Sequence, residues 1–183
     1  MGGKNMIKYT ITVYVPGSIC NFKCSYCYVS QALDSEHLEK PIFHYSIEQM
    51  LSAFQPNRLG GIANVIVIGR GETLIPDEVI PFVHGLLDMG HYVEVVTNLS
   101  LSNKVEELLC TTKSNLKRLL VKGSLHWVEL KRLNLVDVYF NNMKKVLEAG
   151  ASGLPFFVVC DEYMPYLEEK KNICEEKLGT VPQ

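Results

Sequence analysis

The sequence predicts an α/β fold built on parallel strands, and three observations predict it. Apolar runs of strand length recur along the chain, stretches with helical spacing separate them, and each run ends in polar residues that a core does not require. Alternation of this kind joins parallel strands through right-handed crossovers.

The first strand is Tyr9 to Val15, a β-branched and aromatic run closed by Pro16-Gly17. A cysteine-rich loop follows. Ser46-Ile-Glu-Gln49 reads as a capping box, with Tyr45 and Met50 placed as a hydrophobic staple, so a helix starts there with Ile47, Met50, Leu51 and Phe54 on one face. Ala63 to Ile68 is continuously apolar, as a buried parallel strand is, and it leads into Gly69-Arg-Gly-Glu72. The pattern repeats with a helix near Glu78 to Met89, a strand at Tyr92 to Val96 ending in Thr97-Asn98, and a helix near Asn103 to Leu109. The fourth strand, Leu119 to Lys122, runs into Gly123-Ser-Leu-His126. Val136, Phe140, Met143 and Leu147 mark the helix after it, closed by Gly150. The fifth strand is Phe156 to Cys160, running into Asp161-Glu162, and the last helix carries Met164, Leu167, Cys174 and Leu178 on one face. In parallel barrels and sheets the ligand sits at the C-terminal edge, so the polar clusters from five strands should converge on one site.

Composition narrows the function classes. The chain has 183 residues, 47% hydrophobic and 21% charged, which is a globular composition without disorder. No apolar stretch approaches the ~18 residues of a membrane span, and Met1 to Lys8 lacks the apolar core of a secretory leader, so a soluble cytoplasmic protein is expected. A formal charge of -2 gives no reason to expect nucleic acid or an anionic membrane as a partner. The basic residues Lys113, Lys117, Arg118, Lys122, Lys131 and Arg132 read as a solvated face.

The cysteines carry the chemistry. Three of six lie within eight residues, in Cys20-Asn-Phe-Lys-Cys24-Ser-Tyr-Cys27, while Cys110, Cys160 and Cys174 are far apart and read as small buried hydrophobes. A disulfide framework would spread its cysteines; thiolates this close suit a soft metal or an iron-sulfur cluster. Three are one short of the four that saturate a structural zinc or a cluster. Either one metal keeps open coordination positions, or a distant histidine, His37 or His44, folds back to complete a zinc site.

The spacing Cys-x3-Cys-x2-Cys, with Tyr26 before the third cysteine, resembles the signature of the radical S-adenosylmethionine (radical SAM) enzymes. The resemblance spans essentially the whole chain. It implies a partial parallel (β/α) barrel with the cysteine loop after the first strand. It also implies that Cys20, Cys24 and Cys27 hold three irons of a 4Fe-4S cluster, the fourth being chelated by S-adenosyl-L-methionine, with Tyr26 beside the adenine. Gly69-Arg-Gly-Glu72 resembles the family's Gly-Gly-Glu motif, whose backbone and carboxylate help hold the methionine amino group. Gly71 and Glu72 are thus candidates, and Arg70 departs from the pattern where a glycine would allow close approach. Thr97, Asn98, Ser124 and His126 resemble polar positions that meet the cofactor or substrate in relatives. Other readings stand beside these: Glu72 as an edge carboxylate or helix N-terminal charge, Ser124 as a helix cap, His126 packed on Trp127, and Asp161 and Glu162 as N-terminal charges of the last helix.

The activity implied is reductive cleavage of S-adenosylmethionine to a 5'-deoxyadenosyl radical that takes hydrogen from a substrate, with flavodoxin or ferredoxin as electron donor. Activation of a glycyl-radical enzyme, peptide modification and small-metabolite rearrangement all fit. The alternatives are a zinc-binding structural module and an inactive cluster-binding fragment. At ~31 residues per βα unit, 183 residues hold nearly six, and about five are written. The chain is therefore expected to be one radical SAM core domain, 1–183, truncated at its C-terminus. The sixth strand would be missing and the fifth would form an exposed edge prone to aggregation.

Overall fold

The computed structural model describes residues 7–32 and 39–181. Met1 to Met6, His37 and Pro182-Gln183, on which parts of the leader, zinc and sixth-strand expectations fall, lie outside them.

In chain order the elements are β1 (Tyr9–Val15), α1 (Tyr28–Ala32), α2 (Ile47–Ala53), α3 (Pro56–Leu59), β2 (Ala63–Gly69), α4 (Val79–Asp88), β3 (Tyr92–Thr97), α5 (Ser102–Leu109), α6 (Lys113–Leu116), β4 (Leu119–Leu125), α7 (Trp127–Arg132), α8 (Val136–Ala149), β5 (Ser152–Phe157), a 3-10 segment (Asp161–Tyr166) and α9 (Leu167–Leu178). The five strands form one sheet in the order β1-β2-β3-β4-β5, every pair parallel. A doubly wound sheet reverses its strand order part-way. Here each strand pairs with its predecessor, so the crossovers all wind one way, as in a barrel wall. The fold is a partial α/β barrel of five parallel strands.

Strand alternation decides which face is core. Val65, Val67, Val93, Val95 and Val121 are at most 1% exposed and face the helix layer, against Val83, Leu86, Leu87, Val105, Leu108, Phe140 and Val146. Each such side chain stabilises the fold by about 1.5–3 kcal/mol relative to exposure. The alternate residues Asn64, Ile66 and Ile68 are only half-buried, which corrects the reading of Ala63 to Ile68 as covered on both faces. Helices cover one face, and the other is the concave inner wall. At α2 the capping box forms as read: the Ser46 hydroxyl accepts from Gln49 N, and the Gln49 side chain accepts from Ser46 N. Tyr45 stays 67% exposed.

Two elements depart from the sequence reading. The fifth strand runs over Ser152–Phe157, four residues earlier than Phe156 to Cys160, with Gly123 opposite Pro155 and Leu125 opposite Phe157. Gly153 and Pro155 look like breakers in a linear reading. Proline is tolerated because β5 pairs on one side only. Gly153 packs under α8, where an added Cβ would stand 2.6 Å from Met143 Sδ and push that side chain aside. The last helix begins later than read. Met164 lies in the 3-10 segment, 52% exposed, and the buried positions of α9 are Lys170 and Cys174. Cys110 is exposed rather than buried. Lys122 is also not a solvated side chain: it sits on the inner wall, 3.7 Å from Glu94 and over the Phe156 ring.

Candidate cluster and cofactor site

A cavity of about 590 Å³ lies beyond the C-terminal ends of the strands. Every residue named from the sequence as a cluster or cofactor candidate lines it: the three cysteines, Tyr26, Gly71 and Glu72, Thr97 and Asn98, and Ser124 and His126. The convergence expected from strand order is present for four of the five clusters, although these residues span more than 100 positions of sequence; Asp161 and Glu162, after β5, do not line the cavity.

The cysteine loop is held from four sides, each by the end of a different strand. After β2, Glu72 N donates to Ile19 O at 3.0 Å. After β3, the Asn98 amide donates to Asn21 Oδ1 at 2.9 Å, and Asn21 Nδ2 donates to Ser100 Oγ at 2.8 Å. After β4, the Glu129 carboxylate in α7 accepts from Lys23 N at 3.0 Å, and His126 Nδ1 meets the Tyr26 hydroxyl. After β5, Glu162 accepts from the Ser25 hydroxyl, and the Tyr163 hydroxyl donates to that of Tyr26 at 3.3 Å. The residues between the cysteines thus serve as anchors, and the thiols face the shared cavity.

Glu72 is the hub beneath this loop. It is buried, and its carboxylate accepts from Thr97 Oγ1 at 2.5 Å, Leu74 N at 3.1 Å and Asn98 N at 2.7 Å. Burial pushes its carboxyl above the ordinary range, against the three donors. Gly71 sits directly against the loop: a Cβ there would be 2.0 Å from Ile19 O. The glycine is demanded by close approach of two backbones. Arg70 turns outward to Glu39 at 3.4 Å, so its side chain stands at the rim and leaves the backbone of Gly71 and Glu72 unobstructed.

An aromatic group walls the other side. The Tyr26 hydroxyl is shared among His126 Nδ1, the Tyr163 hydroxyl and the Cys24 thiol. Phe22 meets His126 edge-on with centroids 5.9 Å apart, and the Lys170 ammonium lies 4.8 Å from the centre of the Tyr163 ring. His126 therefore faces the cavity, while Trp127 is turned into the core with its indole N–H on Glu169. Ser124 lies inside β4 rather than at a helix cap. Asp161 and Glu162 open the 3-10 segment, and Glu162 is spent on the loop.

Burial holds His126 down at about 4, so the imidazole is neutral in the native state. Below its ordinary pKa of ~6.5 the unfolded chain takes up a proton that the folded chain does not. Stability conferred by this site is present above pH 6.5 and lost as pH falls toward 4, by up to about 3 kcal/mol. Denaturant titrations of the metal-free protein between pH 7 and 4 should show this decline, and His126→Phe should flatten it.

The donor set fits an iron-sulfur cluster. Burial pushes the Cys20 thiol up to about 11 and the Cys24 thiol up to about 12, so metal binding must displace their protons. Cys20 Sγ already accepts from Phe22 N at 3.4 Å, the kind of bond that steadies a ligating thiolate. Among the described residues no three Cys, His, Asp or Glu side chains are close enough to share one metal ion. Zinc asks for four donors around a single ion, whereas a cubane takes each thiolate on a separate iron. His44 lies in a separate groove beside β1, away from the thiols.

Residues 14–122 match the family model of the Radical SAM superfamily, over more than half of the chain. The chain belongs to the radical SAM superfamily. Members use a 4Fe-4S cluster and S-adenosylmethionine, and solved structures of similar fold are radical SAM enzymes. One is Streptococcus suis SuiB bound to precursor peptide SuiA (TM-score 0.66, 16% identity, 94% of this chain and 38% of that one). A second is SuiB bound to S-adenosylmethionine (TM-score 0.62, 18% identity, 92% and 36%). A third is native anSMEcpe with bound AdoMet and Cp18Cys peptide (TM-score 0.62, 17% identity, 92% and 48%). The chain spans less than half the length of these proteins. No curated protein matches it by sequence.

Sequence reasoning found the radical SAM loop but missed its supports. Asn21, Ser100, Glu129 and Tyr163 reach their partners over sequence separations of 79, 106 and 137 residues. No local pattern marks such pairs. The strained backbone of Leu99, at φ 59 and fully buried, follows from the tight turn that brings Asn98 and Ser100 to Asn21.

Proposed function

We propose that this chain is a radical SAM core in which Cys20, Cys24 and Cys27 hold a 4Fe-4S cluster and the ends of β2, β3 and β4 cradle S-adenosylmethionine. The observation that carries the reading is the single cavity shared by the three thiols and the candidate cofactor residues. The chemistry supplied there is one-electron reductive cleavage of S-adenosylmethionine to methionine and a 5'-deoxyadenosyl radical, which takes a hydrogen atom from substrate.

The chain's own residues bind and orient. The four-sided anchoring of the loop presents the thiols before the metal arrives, so loading needs loss of their protons but little reorganisation of the backbone. The Gly71 and Glu72 backbone, with Thr97 and Asn98 behind it, forms the β2–β3 side of the cradle for the methionine end. Tyr26 and His126 flank the adenosine end. The apolar positions Ile68 and Val96 on the inner wall exclude water from the floor.

A peptide is the favoured substrate class, because the SuiB and anSMEcpe structures of the same fold hold peptides. The electron donor that this reading implies is a flavodoxin or ferredoxin, and the compartment it implies is the cytoplasm. Among the described residues no helix is long and apolar enough to cross a membrane. The test is anaerobic: reconstituted protein given dithionite and S-adenosylmethionine should form 5'-deoxyadenosine. A protein that holds its cluster and binds the cofactor yet forms none would be an inactive cluster-binding fragment.

A further inference from the structure

Among the groups that anchor the cysteine loop, Glu129 is set apart by being a buried carboxylate with a cationic partner. Its side chain is 7% exposed, while that of Arg132 is 51% exposed. Arg132 Nε donates to Oε1 at 2.9 Å and Nη2 to Oε2 at 2.8 Å, a two-pronged grip that leaves Oε2 to accept from Lys23 N. Lys23 is the residue immediately before Cys24. One carboxylate therefore fixes the backbone next to a cysteine and brings a full charge close to its thiol. The guanidinium keeps that charge in place: Arg132, helped by the Lys23 N–H, holds the Glu129 carboxyl below the usual range against burial, which works the other way.

We propose that the Glu129–Arg132 pair is a positioning and tuning device for the cluster held by Cys20, Cys24 and Cys27. Glu129 sets the backbone geometry of the loop through Lys23, and the balance of the two charges sets the reduction potential of the cluster. This rests on the cluster-binding reading above. The physical basis is that cluster potentials respond to net charge and hydrogen bonding around the sulfurs. The charge of buried Glu129 is screened less than that of half-exposed Arg132, whose removal should shift the potential less. Reduction adds an electron to the cluster. Removing the nearby anion therefore eases it, and removing the nearby cation opposes it.

The pair makes the test two-sided. Glu129→Gln keeps an oxygen for the Lys23 N–H and removes the negative charge. It should load iron and sulfide as wild type does, while its midpoint potential, read by anaerobic spectroelectrochemistry, shifts to more positive values. Arg132→Gln keeps Glu129 and removes the positive charge, and should shift the potential to more negative values. Glu129→Ala removes the acceptor and should lower iron content per chain, with Glu129→Gln restoring it. A role confined to folding would move both potentials the same way or neither. Shifts of the same sign, or unchanged potentials with wild-type loading in Glu129→Ala, would overturn the proposal. If wild-type protein itself takes up no iron-sulfur cluster, it is the cluster-binding reading that fails, and the two failures are distinguishable before any variant is measured.

Discussion

Cys24→Ala should reduce bound iron and acid-labile sulfide to background and abolish 5'-deoxyadenosine formation. Cys24 is the middle cysteine of the triplet and is 7% exposed. Its replacement removes one thiolate from a set that is already one short of saturating the cluster. Neither Cys110, exposed at the end of α5, nor Cys174, buried in α9, can stand in. Cys110→Ala should leave iron, sulfide and turnover unchanged. The fold should survive Cys24→Ala, because the loop is held through Ile19, Asn21, Lys23, Ser25 and Tyr26. Circular dichroism would separate loss of metal from loss of structure.

Gly71→Ala should impair the site almost as severely without touching a ligand. The new methyl would lie 2.0 Å from Ile19 O, 2.6 Å from Ile19 C and 2.7 Å from Ser18 C, all backbone atoms that no rotamer change can relieve. Either the cysteine loop or the β2 loop must move, and the bond from Glu72 N to Ile19 O goes with it. Overpacking of this kind costs about 1–3 kcal/mol, and the lost hydrogen bond about 1 more. Iron content per chain should fall several-fold and the thermal midpoint should drop. Wild-type loading in Gly71→Ala would show that the loop does not depend on this contact.

The position of Gly71 illustrates how far the sequence could be read. The radical SAM motif marks it as a cofactor residue, and the structure places it in the cavity wall, but the packing reason for a glycine there appears only when the Ser18-Ile19 backbone is set against it. Arg70 departs from the motif, and its side chain turns to Glu39 at the rim of the cavity. Strands with a full apolar run, such as β2, were legible because burial of one face writes itself into local pattern. β5 was displaced by four residues because its pairing with β4 and its packing under α8 overrule the local signals of Gly153 and Pro155. The cysteine triplet stood out because its three members lie within eight residues of chain. Glu129 was not, since nothing near it in sequence signals that it accepts a hydrogen bond from Lys23.

The central claim is that three cysteines hold a 4Fe-4S cluster with one iron open to S-adenosylmethionine. Mössbauer spectroscopy of protein reconstituted with 57Fe, with and without S-adenosylmethionine, tests it most directly. The predicted result is that a single iron site of the cluster changes its isomer shift when S-adenosylmethionine is added, while the cysteine-bound irons keep theirs. A spectrum in which every iron is indifferent to S-adenosylmethionine, or a preparation that holds stoichiometric zinc and no sulfide, would contradict it.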